Sequence, residues 1–127
     1  MVAFARYPMG NAVQISTRDK GLKAALESDR ECLRHFGADM CKKLRLRFAA
    51  LKAAVSLADF WPPNSGPERC HELKGDKAGV FSIDVKQPYR LLVSPIEESR
   101  PEDRSDEQDR WSNITAIELL TVEDTHG

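Results

Sequence analysis

The sequence predicts an α+β domain of two layers, with helices segregated from an antiparallel sheet. Three observations predict it. The chain has 127 residues, 41% of them apolar and 31% charged, which is enough to bury one core and too little for two. Between residues 19 and 59 apolar side chains recur every three or four positions, the period of a helix face. From residue 69 onward the period falls to two and β-branched residues accumulate. No internal repeat or linker interrupts the chain, so residues 1–127 read as one domain with a charged excursion at 97–110.

The first element is a short strand at Asn11–Ser16, where Val13 and Ile15 alternate with polar residues. A helix then runs from Asp19 to Arg34, with Leu22, Ala25, Leu26 and Leu33 forming its apolar stripe. Gly37 ends it, because glycine adopts the left-handed conformation that closes helices. A second helix extends from Asp39 to Asp59, with Met40, Leu44, Phe48, Leu51 and Val55 on one face. Lys42, Lys43, Arg45, Arg47 and Lys52 lie off that stripe. So short a break between two helices makes an antiparallel αα-hairpin.

The run WPPNSGP, Trp61 to Pro67, reads as a turn-rich loop. Strands follow at Arg69–Leu73, Val80–Val85 and Tyr89–Ile96, the last two joined tightly through Lys86-Gln87-Pro88. Glu97–Arg110 is dense in charge and reads as an excursion too polar to pack. Trp111–Glu123 supplies the closing strand, with Ile117 and Leu119 facing the core.

Composition excludes several classes. No apolar run approaches the roughly 20 residues of a membrane helix, and no basic head and apolar stretch mark a secretory signal in MVAFARYPMGNAVQIS. The expected compartment is the cytoplasm. Three cysteines, Cys32, Cys41 and Cys70, are an odd number and argue against a disulfide framework. Cys32-x-x-His35 and Cys70-His71 are the nearest approach to zinc ligands, but no CxxC pair exists and no metal or cofactor is expected. The formal net charge of −1 conceals an asymmetry: residues 1–96 carry +6, residues 97–110 carry −4 and residues 111–127 carry −3. A basic body fits a polyanionic partner, and equally a solvated helix face.

The segment HELKGDKAGVFSI, from His71, gathers a histidine, two lysines, two glycines and an acid at a strand entrance. Its Gly75 and Gly79 flank a hairpin turn, since neither the GxxxxGK[ST] pattern nor a following helix is present. With Arg90 on a later strand and Asp124 and His126 at the end of the last one, a set of two histidines, an acid and two cations forms if these strands are neighbours. Such a set suits metal-independent RNA cleavage. Histidine can take a proton from a 2′-hydroxyl or give one to a leaving 5′-oxygen, and Lys74 or Arg90 can stabilise the charge on phosphorus. Asp124 can orient a histidine or act as base. The competing reading is structural: Arg90 pairs with Asp84 or Glu118 across the sheet, and Asp124 and His126 belong to a terminus where chains fray.

The stretch CHELKGDKAGVFSIDVKQPYRLLV, followed by a last strand ending EDTHG, resembles the HigB branch of the RelE/ParE toxin superfamily, the killer proteins of plasmid maintenance systems. Those chains carry H-x-L-K-G-D-x-x-G-x-[WF]-S-[IV], then a W/Y-R strand, then a terminal acid-Asp-Tyr-His; GLKAALES resembles the opening of their first helix. Chains of this pattern with a long insertion before the last strand also carry the label killer suppression protein, which names an antitoxin role; the lack of a helix-turn-helix pattern and the β-rich second half fit the toxin branch instead. The resemblance spans residues 11 to 127. It implies a microbial-ribonuclease-like fold, two helices on a curved antiparallel sheet, and ribosome-dependent endonuclease action on mRNA. It implies a HigA-like helix-turn-helix antitoxin as partner. By position His71, Asp124 and His126 match the catalytic set, and Lys74 and Arg90 the phosphate-binding pair. Thr125 stands where the family has tyrosine, so the ring that stacks on a base is replaced by a hydroxyl. The alternative reading is a non-catalytic protein of the same fold that binds an antitoxin or regulator.

Overall fold

The computed structural model of the chain describes residues 12–96 and 106–124. Its elements are β1 (Gln14–Thr17), α1 (Lys20–Glu27), α2 (Asp29–Ala53), a 3-10 turn at Leu57–Phe60, β2 (His71–Glu72), a second 3-10 turn at Gly75–Lys77, β3 (Phe81–Lys86), β4 (Tyr89–Pro95), α3 (Glu107–Ser112) and β5 (Ala116–Asp124). The class is α+β, as the two periodicities predict: helices packed on a five-stranded sheet of order β1-β5-β4-β3-β2. All neighbours pair antiparallel except β1, which joins β5 in parallel.

The helical half departs from expectation in its breaks. The first helix stops at Glu27 instead of Arg34, because Ser28 takes an extended conformation and caps the next helix, its hydroxyl accepting from the Glu31 amide. Ser28-Asp29-Arg30-Glu31 is the sequence form of a capping box. Gly37 breaks α2 at the predicted place, with φ 79° and ψ 169°, a region that is essentially glycine's alone. The chain turns back there, so that Asp29 and Arg45, equidistant from Gly37 in sequence, meet at 2.7 Å. The expected αα-hairpin therefore exists, with its bend at Gly37. The helix ends at Ala53, not Asp59, which leaves Val55 exposed; Leu33, expected in the first stripe, is exposed as well.

Both layers meet in one core. Leu44 and Leu51 from α2 and Leu57 from the turn join Phe81 and Ile83 of β3, Leu91 and Val93 of β4, and Ile117 and Leu119 of β5, all buried. Arg47, expected among the outward cations, is buried instead, and its Nε donates to the carbonyl oxygen of Asp84 at 2.7 Å.

The charged excursion also departs from expectation. Residues 97–105 lie outside the described residues, but 106–112 end in the helix α3, capped by the Asp106 carboxylate accepting from the Asp109 amide at 2.7 Å. Arg110 pairs with Glu72 and lies over the Phe81 ring. Trp111, expected to start the last strand, belongs to α3 and is fully buried, edge-on to Trp61 at 5.1 Å and to Phe81 at 5.2 Å. The expected strand at Arg69–Leu73 contracts to His71–Glu72, since Arg69 has a positive φ of 45°.

Candidate functional site

The register of the sheet sorts the polar side chains by face. Phe81, Ile83, Leu91, Val93, Ile117 and Leu119 fill the helix-side core. Strand alternation sends Ser82, Asp84, Arg90 and Leu92 to the opposite face. Leu92 is buried yet stands outside the main core cluster, as that face requires. His71 pairs with Ser82, Ser82 with Leu92, and Leu92 with Thr121, which makes one row across the face. Asp84 pairs with Arg90 and Arg90 with Glu123, which makes the next.

Asp84 is the centre of that second row. One carboxylate oxygen lies 3.5 Å from Nε of Arg90 and the other 3.5 Å from Nε of Arg69, while the Gln87 amide donates to it at 3.4 Å. Asp84 is 8% exposed, so the two guanidiniums hold a carboxylate that has little water to solvate it. Next to them, Nζ of Lys77 reaches from the hairpin to Glu123 at 2.7 Å, bridging β5 and the β2–β3 connection. Nδ1 of His71 stands 2.9 Å from the carbonyl oxygen of Arg69.

The predicted site residues distribute as follows. His71 and Arg90 are on the same face, on β2 and β4, with β3 between them. Arg90 pairs with Asp84, whereas Glu118, the other partner considered for it, pairs with Arg18 at 2.7 Å. Lys74 is exposed and opens the Gly75–Lys77 turn, with no ion-pair partner among the described residues. Asp124 is the last residue of β5 and pairs with Tyr89. It therefore stands one position past Glu123, and strand alternation sets Glu123, not Asp124, beside Arg90. Tyr89 and Val122 face the helix side, where with Phe36, Met40 and Lys86 they line a groove of about 610 Å³ against the Gly37 bend. Thr125 and His126 lie outside the described residues.

Sequence reasoning missed Arg69, Glu123 and Lys77 as members of this face, and gave Asp84 only a pairing role. Asp84 was legible, since in VFSIDV it is out of phase with Phe81, Ile83 and Val85. Arg69 was not, because its position depends on a left-handed residue in an irregular loop.

Cys70, adjacent to His71, does not add a nucleophile. It is fully buried, and burial followed by the Glu68 carboxylate pushes its thiol up to about 12. The protonated thiol is a poor nucleophile at neutral pH. Among the described residues no three of His, Cys, Asp and Glu gather into a metal-binding group. None of the described helices is long and apolar enough to cross a membrane.

The fold and this face thus define an α+β domain whose outer sheet surface mixes guanidiniums, a histidine and carboxylates. Among solved structures the chain is similar to a YoeB/ParE toxin from Agrobacterium tumefaciens, at 15% identity and a TM-score of 0.49, over 87% of this chain and 96% of that one. It is also similar to a YoeB–YefM complex from Staphylococcus aureus (13% identity, TM-score 0.47) and to a YoeB dimer from the same organism (14%, 0.47), each over 87% of this chain and 94% of the other. No family model matches the chain, and no curated protein matches it.

Proposed function

We propose that the chain is the toxin of a toxin–antitoxin pair, a HigB-like endoribonuclease that cleaves mRNA on the ribosome without a metal or cofactor. The observation that carries this reading is the shared face of His71 and Arg90, strands apart in sequence and brought together by the sheet. In the reaction a base removes the 2′-hydroxyl proton and the 2′-oxygen bonds to phosphorus. The bond from phosphorus to the 5′-oxygen breaks, an acid protonates that oxygen, and a 2′,3′-cyclic phosphate remains. His71 acts as the base and His126 as the acid, or the two exchange roles; Asp124, the other candidate base, serves only if the end of β5 turns it from the Tyr89 side to the Arg90 side. Lys74 and Arg90 hold the phosphate, whose extra charge in the transition state favours charge-assisted donors. Thr125 acts beside them as an accessory group without the stacking ring of tyrosine. Before Arg90 can take up a phosphate it exchanges the Asp84 carboxylate for it, so anion affinity on this face is lower than the number of cations suggests.

The partner in this reading is a HigA-like helix-turn-helix antitoxin. The rival is a non-catalytic protein of the same fold that binds such an antitoxin, and the observation favouring it is that the two carboxylates Asp84 and Glu123 already occupy Arg69, Arg90 and Lys77.

The test is induction of the wild-type chain beside His71→Ala and His126→Ala, with growth and mRNA 5′ ends followed. Growth arrest with cuts in ribosome-bound message, relieved by both substitutions, supports the nuclease. Soluble wild-type protein that leaves growth and message intact sinks it in favour of the binding protein.

A further inference from the structure

Arg69 is one of two described non-glycine residues with positive φ, the other being Asn64 at 66°. Arginine gains nothing locally from that conformation, which glycine or asparagine adopts at less cost. The surrounding loop enforces it. The Arg69 amide donates to the carbonyl of Ser65 at 3.1 Å, and the preceding carbonyl, that of Glu68, accepts from the Asp84 amide at 2.8 Å. On the other side the Cys70 carbonyl accepts from Asn64 at 3.0 Å. The Arg69 guanidinium is anchored to Asp84. With the peptides on both sides tied, the Arg69 carbonyl has one place to point, and that place is 2.9 Å from Nδ1 of His71.

A carbonyl oxygen only accepts. The contact is a hydrogen bond when Nδ1 carries the proton, and a clash of two lone pairs when it does not. We propose that Arg69 is a positioning residue of the site: its left-handed backbone locks the neutral His71 ring in the Nδ1–H tautomer and so presents Nε2 as the proton-accepting nitrogen. An observed backbone outlier is then tied to one function, the orientation of a base. Its side chain meanwhile shares Asp84 with Arg90, so one residue couples the tautomer of the histidine to the placement of the anion-binding guanidinium.

The significance of the tautomer for cleavage rests on the reading of His71 as a site residue, but the tautomer itself is measured without RNA. The experiment is two-dimensional ¹H–¹⁵N NMR of the imidazole ring nitrogens, at a pH where His71 is neutral, on the wild type, Arg69→Gly and Arg69→Val. Glycine keeps the positive φ and removes the guanidinium; valine, branched at Cβ, disfavours that φ. The expected result is a protonated Nδ1 and an unprotonated Nε2 in the wild type, the same pattern in Arg69→Gly, and a shift toward Nε2 protonation in Arg69→Val. A wild-type ring protonated on Nε2 overturns the proposal, whether or not the valine variant folds. So does an unchanged Nδ1–H pattern in a folded Arg69→Val. An Nδ1–H wild type that never cuts RNA leaves the role of Arg69 standing and removes only the nuclease reading.

Discussion

Asp84 on β3 and Arg90 on β4 stand directly opposite each other, with carboxylate and guanidinium 3.5 Å apart on the face of the sheet away from the helices. Among the described residues neither the Oδ1 of Asp84 nor the Nε of Arg90 has a hydrogen-bond partner in good geometry, although both atoms are buried. Their interaction is therefore coulombic. Removing one member leaves the other as a buried charge with less to offset it. Asp84→Ala is expected to lower the unfolding free energy by about 1–3 kcal/mol in urea titrations. Lys77→Ala, which breaks an ion pair half-exposed at the lysine, is expected to cost under about 1 kcal/mol. Equal losses in the two variants would show that Asp84 has no structural role beyond a surface pair.

Trp111 gives the second prediction. It connects α3 to the core through edge-on contacts with Trp61 and Phe81 and is wholly buried. Trp111→Ala is expected to destabilise by about 3–5 kcal/mol, and Trp111→Phe by clearly less. Thermal or urea unfolding measures this. A loss below about 1 kcal/mol in Trp111→Ala would mean that α3 is an accessory to the fold.

Gly37 gives the third. A Cβ there meets nothing within 4 Å, so the cost of a side chain is purely conformational. At φ 79° and ψ 169°, Gly37→Ala is expected to lose about 1–3 kcal/mol, with helical circular dichroism retained below the transition. A variant as stable as the wild type would show that the bend relaxes at no cost.

The cysteines give a pH dependence. Burial, and then a hydrogen bond with Cys41, pushes the Cys32 thiol up to about 11; burial, and then Glu68, pushes Cys70 up to about 12. The folded state thus holds thiol protons that the unfolded chain releases near pH 9. Stability is expected to be flat on this account below about pH 8.5 and to fall as pH rises from there toward 11–12, because the unfolded state then binds fewer protons than the folded one. In Ellman assays near pH 8 these two thiols should react only after denaturant is added. Rapid labelling of the native chain would contradict their burial.

Much of the fold was legible. The change of period from helical to alternating near residue 69 separated the two layers, and Gly37 marked the hairpin bend, because these signals depend on neighbours within one turn or one strand. The capping box at Ser28 was equally local, yet the apolar stripe running through it hid the break. Trp111 was misplaced for a different reason. Its side chain belongs to a short capped helix whose burial is decided by Trp61 and Phe81, fifty and thirty residues away.

The site divides along the same line. The sequence alone determined that His71, Lys74 and Arg90 belong to strands or their ends, and that an acid and a histidine close the chain. Only the tertiary structure decided that Asp84 and Glu123, not Asp124, flank Arg90, and that Arg69 turns its carbonyl to His71. The physical reason is register: a strand's alternation is written in its own residues, whereas which residue stands opposite it is set by bulges and a left-handed loop residue that long-range packing selects.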